Sequence, residues 1–263
     1  MPKIKLMFIA RTLLMLCALP SPALAADALT AITARGAALP VIADLPAGPG
    51  PFAAIVLAPG QGYHMALPAL EQTALRLLAQ GIAVYRFNWA YFSGNAKGGA
   101  PSDDLSKELE DLRTVLAVAR AEPRVNPSQL SVGGKSLGSL VAWRAFAADP
   151  SLRSGLFLTP VCSHVPKGQT SMVEVADENY PHVAKEHRPM AFIAGDRDPL
   201  CAPAVLYRFA AKAGTTARVA VVGGDHGFGH HTLTGDAAAQ AESRNVAAVA
   251  RLAADFVADV SGQ

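Results

Sequence analysis

Six short apolar runs punctuate the chain, and they do not alternate. Residues 53–58 (Ala-Ala-Ile-Val-Leu-Ala), 82–87, 129–133, 155–160, 190–195 and 218–222 each read as a strand. An unbroken apolar strand has both faces buried, which is the habit of a parallel sheet. Between the runs lie stretches with helical spacing: 66–79, halted before Gly81; 103–121, with Asp103 and Asp104 suited to its start; 140–148; 202–213; and 237–260. Strands that alternate with helices predict an α/β chain with a mostly parallel central sheet and helices on both faces. Residues 27–52 read as a lead-in of one or two strands with turns at 46–50. Residues 91–102 form a Gly-, Ala- and Ser-rich loop. Residues 161–188 show no clear period and hold Pro166, Pro181, His164, His182 and His187; they read as a lid-like insertion or long loop. No internal repeat is visible.

The N-terminus has a different pattern. Lys3 and Lys5 precede an apolar stretch at 12–19, and Ala23-Leu24-Ala25 fits a cleavage site. Residues 1–25 are therefore expected to be an export signal, and 26–263 a single domain. Arg11 interrupts the apolar run, and the apolar stretch after it is too short to span a bilayer. The formal charge is +2, with 23 basic and 21 acidic residues. Loss of Lys3, Lys5 and Arg11 leaves 20 basic against 21 acidic. No basic patch remains to draw nucleic acid or an anionic membrane, so the expected partner is a small molecule. The processed chain is expected to be periplasmic or secreted, without stable membrane association. Export also permits disulfides. Cys162 and Cys201 each follow a strand, and those strands should be neighbours; the pair reads as a disulfide or as two partly buried thiols.

The chemistry concentrates at the carboxyl ends of the strands, where open α/β sheets place their ligands. Gly134-Lys135-Ser136-Leu137-Gly138 fits G-x-S-x-G and lies between a strand and a helix. In that nucleophile elbow a serine is raised on a sharp turn, and the flanking glycines let the helix close on the strand. Rival readings fail. A P-loop needs a glycine five residues before Gly134, where Gln129 stands, and Gly60-Gln61-Gly62 lacks the third glycine of a dinucleotide fingerprint at Met65. Asp196 and Asp198 follow one strand; Asp225 and His226 follow the last. Serine, then aspartate, then histidine is the chain order of a Ser–Asp–His triad on this kind of sheet. Ser136 is the candidate nucleophile, His226 the base and Asp198 the acid that orients it, with Asp196 the alternative and Asp225 a turn cap. The oxyanion hole is expected from the backbone N–H groups of Leu137 and Gln61, with Gly62 a further option. Gly62, Tyr63 and His64 should line the substrate side. Trp89, Tyr91 and Phe92 read as pocket walls or as plain packing. Lys135 should be held by neighbouring carbonyls or acids and takes no chemical step. His230 and His231, near His226, lack a metal-ligand pattern, and no metal or cofactor is expected.

The residues around Ser136, the turn from Gly195 to Asp198, and Asp225-His226-Gly227-Phe228 resemble the α/β-hydrolase superfamily over nearly all of the processed chain, and within it the small dienelactone-hydrolase-like branch. The resemblance implies a Ser136–Asp198–His226 hydrolase of esters or related acyl bonds, without a cofactor. Amide, thioester or lactone hydrolysis is the nearest alternative; a catalytically silent binding protein on the same fold is another. The chain departs from that pattern in two places. Pro59-Gly60 stands where His-Gly is usual, and Ser136 stands where dienelactone hydrolases carry cysteine.

Overall fold

The computed structural model describes residues 25–93, 99–215, 217–230 and 232–262. The expected leader, apart from Ala25, lies outside the described residues, as do residues 94–98 of the expected loop and His231.

Strands β1 (Ala25–Ile32), β2 (Ala38–Leu45), β3 (Phe52–Ala58), β4 (Ala83–Phe87), β5 (Val125–Lys135), β6 (Gly155–Leu158), β7 (Ser163–His164), β8 (Val173–Glu174), β9 (Met190–Gly195) and β10 (Arg218–Val222) form two sheets. Eight of them make the central sheet, in the order β1-β2-β4-β3-β5-β6-β9-β10. The lead-in supplies the antiparallel part: β1 pairs with β2 and β2 with β4. Every pairing from β4 to β10 is parallel. β7 and β8 form a separate two-stranded hairpin.

The helices are α1 (Pro68–Ala79), α2 (Ala90–Ser93), α3 (Ser106–Ala121), α4 (Leu137–Ala148), α5 (Ala176–Asn179), α6 (Pro203–Ala210) and α7 (Gly235–Ser261). α3, α4 and α6 cover one face and α1 and α7 the other. β3 shows how a continuous apolar run serves both: Ala54, Val56 and Ala58 face the first layer, Ala53, Ile55 and Leu57 the second. Each fully buried Val, Ile or Leu side chain contributes about 1.5–3 kcal/mol. Among the described residues, no helix is long and apolar enough to cross a membrane.

α3 and the 161–188 stretch depart most from the sequence reading. α3 starts at Ser106 rather than Asp103, because Leu105 adopts φ +58° and breaks the helical path. Asp104 then accepts a hydrogen bond from the Ser106 N–H at 3.0 Å. The 161–188 stretch contains the β7–β8 hairpin, α5 and a 3-10 turn at Val183–Lys185, and side chains anchor it. Tyr180 is fully buried in an aromatic cluster with Trp143, Phe157, Phe192 and Phe209. The Trp143 indole donates to the Pro181 carbonyl. The Arg188 guanidinium stacks on Phe146 and donates to the Phe146, Asp149 and Leu152 carbonyls. Cys162 and Cys201 are joined in a disulfide. Of the two readings of that pair, the disulfide is the one formed.

Candidate active site

β5 ends at Lys135 and α4 begins at Leu137, so Ser136 makes the whole turn alone, at φ +54° and ψ −121°. Side chains avoid that region unless the surroundings impose it. Here the surroundings do. A Cβ at Gly134 would lie 2.3 Å from the Gly138 carbonyl oxygen, and one at Gly138 would lie 2.4 Å from that of Ala58. Only glycines let α4 approach β5 and β3 so closely. The Ser136 N–H donates to the Leu158 carbonyl (3.0 Å), and the Ser139 hydroxyl donates to the Ser136 carbonyl (2.6 Å). Ser139 is in turn bonded to the Tyr180 hydroxyl at 2.8 Å, so the anchored connection braces the elbow from below.

His226, in the loop after β10, places Nε2 2.8 Å from Ser136 Oγ. Its Nδ1 lies 3.0 and 2.9 Å from the two oxygens of Asp198. A carboxylate accepts only, so Nδ1 carries the proton and Nε2 is free to accept from the serine hydroxyl. Asp198 is buried, and the Leu200 N–H holds it at 2.9 Å. The other two aspartates do other work. Asp196 accepts from the Gly224 N–H (2.8 Å) and faces Arg197. Asp225 accepts from the Gly227 and Gly229 N–H groups (2.6 and 3.0 Å), closing the turn that carries His226. A hydroxyl bonded to an imidazole whose far nitrogen is fixed by a carboxylate can pass its proton to the ring while attacking a carbonyl carbon.

The loop after β3 crosses the elbow. A Cβ on Gly60 would sit 3.4 Å from that of Ser136. The Tyr63 N–H bonds back to the Gly60 carbonyl (3.3 Å), with Gly62 at φ +67° completing the turn. Gln61 and Gly62 are exposed at the tip. Leu137 opens α4, where the first N–H groups have no acceptor within the helix. Tyr63 is half-buried, and its ring lies 4.4 Å from Lys135 Nζ. His64 is exposed and folds back so that Nδ1 accepts from the Ala66 N–H at 3.2 Å.

Three residues after or within β4 hold this loop, and the sequence reading missed two of them. The Trp89 indole donates to the Pro59 carbonyl at 3.0 Å. The Asn88 side chain accepts from the Met65 N–H at 2.8 Å. Arg86 donates to the Met65 carbonyl at 3.0 Å while paired with buried Asp44 at 2.9 Å. Trp89, open between pocket wall and packing, is fully buried and belongs to the packing. An arginine inside an apolar strand was the available signal, since a buried charge needs a partner. His230 bonds to Thr232. Among the described residues, no three His, Cys, Asp or Glu side chains could hold a metal ion.

The sequence matches the family model described as an alpha/beta hydrolase domain over residues 51–258. The chain belongs to the alpha/beta hydrolase family. No curated protein matches it in sequence. Solved structures resemble this chain in fold. A serine hydrolase homologue from Coxiella burnetii superposes with a TM-score of 0.65 at 18% identity, covering 87% of this chain and 96% of its own. A dienelactone hydrolase from Anabaena variabilis gives 0.64 at 18% identity, covering 89% and 96%. An esterase from Pyrococcus furiosus gives 0.59 at 17% identity, covering 78% and 83%. At these identities the likeness is one of fold.

Proposed function

We propose that this hydrolase cleaves carboxylic esters, or closely related acyl bonds, of small molecules through an acyl-enzyme on Ser136. The observation that carries the reading is the continuous hydrogen-bonded line from Ser136 Oγ through His226 to buried Asp198. In this reading His226 takes the serine proton as Oγ attacks the acyl carbon, then returns it to the departing alcohol. Water then enters, gives its proton to His226 and attacks the acyl carbon; the bond to Oγ breaks, His226 returns the proton to Ser136, and the carboxylic acid leaves. Asp198 holds the ring and stabilises the imidazolium in both halves. The N–H groups of Leu137 and Gln61 receive the oxyanion; each such donor is worth about 2.7–4 kcal/mol. Tyr63, with Gly62 and His64, flanks the leaving group. The family and its esterase- and hydrolase-named structural neighbours support acyl chemistry.

The same reading includes export: the residue 1–25 signal, removed near Ala25, delivers the domain to the periplasm or beyond. The disulfide supports this, because such bonds persist in oxidising compartments.

The test uses the processed protein from Ala26 onward, a fluorophosphonate probe and a panel of nitrophenyl esters. One adduct per chain, absent from Ser136→Ala, together with ester turnover lost in that variant, is the expected result. Turnover retained by folded Ser136→Ala would overturn it.

A further inference from the structure

Lys135 is a lysine in the floor of the site, and none of the steps above uses it. It is 1% exposed. A buried ammonium is costly unless it is paired, and this one is surrounded. Nζ donates to the main-chain carbonyl of His226 at 2.8 Å. It lies over the Tyr63 ring at 4.4 Å and faces that of Phe228 at 5.9 Å. The carboxylates of Asp198 and Asp225 both bear on it electrostatically, and Asp225 and Glu242 of α7 bear on Tyr63. One side chain thus reaches three segments that sequence alone keeps apart: the elbow that carries it, the loop over the elbow through Tyr63, and the base-bearing loop through His226 and Phe228.

We infer that Lys135 is a positioning residue: its ammonium ties the His226 backbone and the Tyr63 ring to the elbow, setting the imidazole at hydrogen-bonding distance from Ser136 and the loop at its working height. The inference rests on the serine-hydrolase reading. Nζ has three donors, and one is spent on the carbonyl of the residue whose side chain faces Ser136. A shift of that carbonyl moves Nε2 with it, and about 1 Å of misplacement costs on the order of 10²-fold in rate. The ring contact and the pull of both carboxylates depend on the positive charge. Burial lowers the Lys135 pKa to about 8, against the raising effect of Asp198 and Asp225. The charge-dependent part of the tie is therefore complete well below pH 8, half lost at about 8 and gone well above it.

The experiment compares processed wild type, Ser136→Ala and Lys135→Met, which keeps an unbranched apolar chain out to the ε position and removes the ammonium with its donors and charge. It measures kcat and KM on one nitrophenyl ester, the rate of fluorophosphonate labelling, and the pH dependence of kcat. The expected result is a Lys135→Met protein that still labels at Ser136, with kcat and labelling rate down on the order of 10²-fold and KM changed by less than about threefold. Wild-type kcat should fall as pH rises through about 8, and that limb should be missing from Lys135→Met. Wild-type kinetics in Lys135→Met beside an inactive Ser136→Ala would overturn this inference and leave the serine reading intact. Turnover retained in Ser136→Ala would remove both. Should Lys135→Met not fold, Tyr63→Leu keeps the lysine and removes its ring contact. A smaller fall in kcat is then expected, and no fall, or a wild-type rate level across about pH 7 to 9, would overturn the inference.

Discussion

Reducing the Cys162–Cys201 disulfide should lower the unfolding free energy by about 4 kcal/mol. The bond closes a loop with a sequence separation of 39 residues. Cross-linking a loop of that length removes about 13 cal/mol/K from the unfolded ensemble, or about 4 kcal/mol at 25 °C. Both cysteines are fully buried, so reductant must act while the chain is open, and equilibrium urea unfolding with and without dithiothreitol is the suitable assay. The reduced protein should show an earlier midpoint with little change in native spectra. The bond also sits close to the chemistry. The Cys162 and Ser163 N–H groups both donate to the Leu200 carbonyl at 2.8 Å, and the Leu200 N–H holds Asp198. Reduction followed by refolding should therefore slow fluorophosphonate labelling as well, by less than loss of Asp198 would. Coincident unfolding midpoints for oxidised and reduced protein would refute the loop-entropy reasoning. A slower label with coincident midpoints would show that the bond acts only on the acid loop.

Asp198→Asn should cut kcat about 10⁴-fold, because an amide can present its NH₂ to Nδ1 and stabilise the wrong tautomer; Asp196→Asn, whose side chain bonds the Gly224 N–H and faces Arg197, should stay within about tenfold of wild type. The two variants measured side by side by ester turnover decide the acid. Trp89→Phe keeps the aromatic packing but leaves the Pro59 carbonyl without its indole donor. It should cost about 1–3 kcal/mol of stability by urea unfolding, with a loss of kcat as the loop above Ser136 shifts. Lys135 has its own stability signature. Its folded pKa is about 8 against 10.5 in the unfolded chain, so the unfolded state holds more protons between those values and stability rises with pH across that window. Relative to Lys135→Met, wild type should gain about 3 kcal/mol from pH 8 to 10.5 while losing activity; parallel stability curves for the two proteins would contradict this.

The interior of the central sheet was legible because β3, β4, β6 and β9 are buried on both sides. Ile55 and Val56 point to opposite layers and both are fully covered, so β3 reads as an unbroken apolar run. The elbow and the two loops that carry Asp198 and His226 were legible because each follows such a run directly, and strand ends are where side chains meet. Residues 161–188 were not legible. Their order comes from single anchors, Tyr180 in an aromatic cluster and Arg188 on three carbonyls, and such contacts leave no period in the chain. The same holds for the loop over the elbow. Its support comes from Arg86, Asn88 and Trp89, more than twenty positions further along, through hydrogen bonds to backbone atoms that any residue would possess. Lys135 showed itself only as an odd charge between glycines. Its meaning depends on which carbonyl it reaches, and that is a property of the folded chain.

The loop over the elbow is fastened at both ends, with Trp89 on Pro59 and with Asn88 and Arg86 on Met65. None of the three fastenings uses a side chain of the tip itself. Gln61 and His64 can therefore be exchanged without undoing these three fastenings, and under the proposed function mutational drift can test new leaving groups there while Ser136, Asp198 and His226 are inherited unchanged. For a protein engineer the same division marks out a small library: randomise 61 and 64, leave Gly62 for its turn and Tyr63 for its contact with Lys135, and screen for altered alcohol preference in a background whose folding has already been secured.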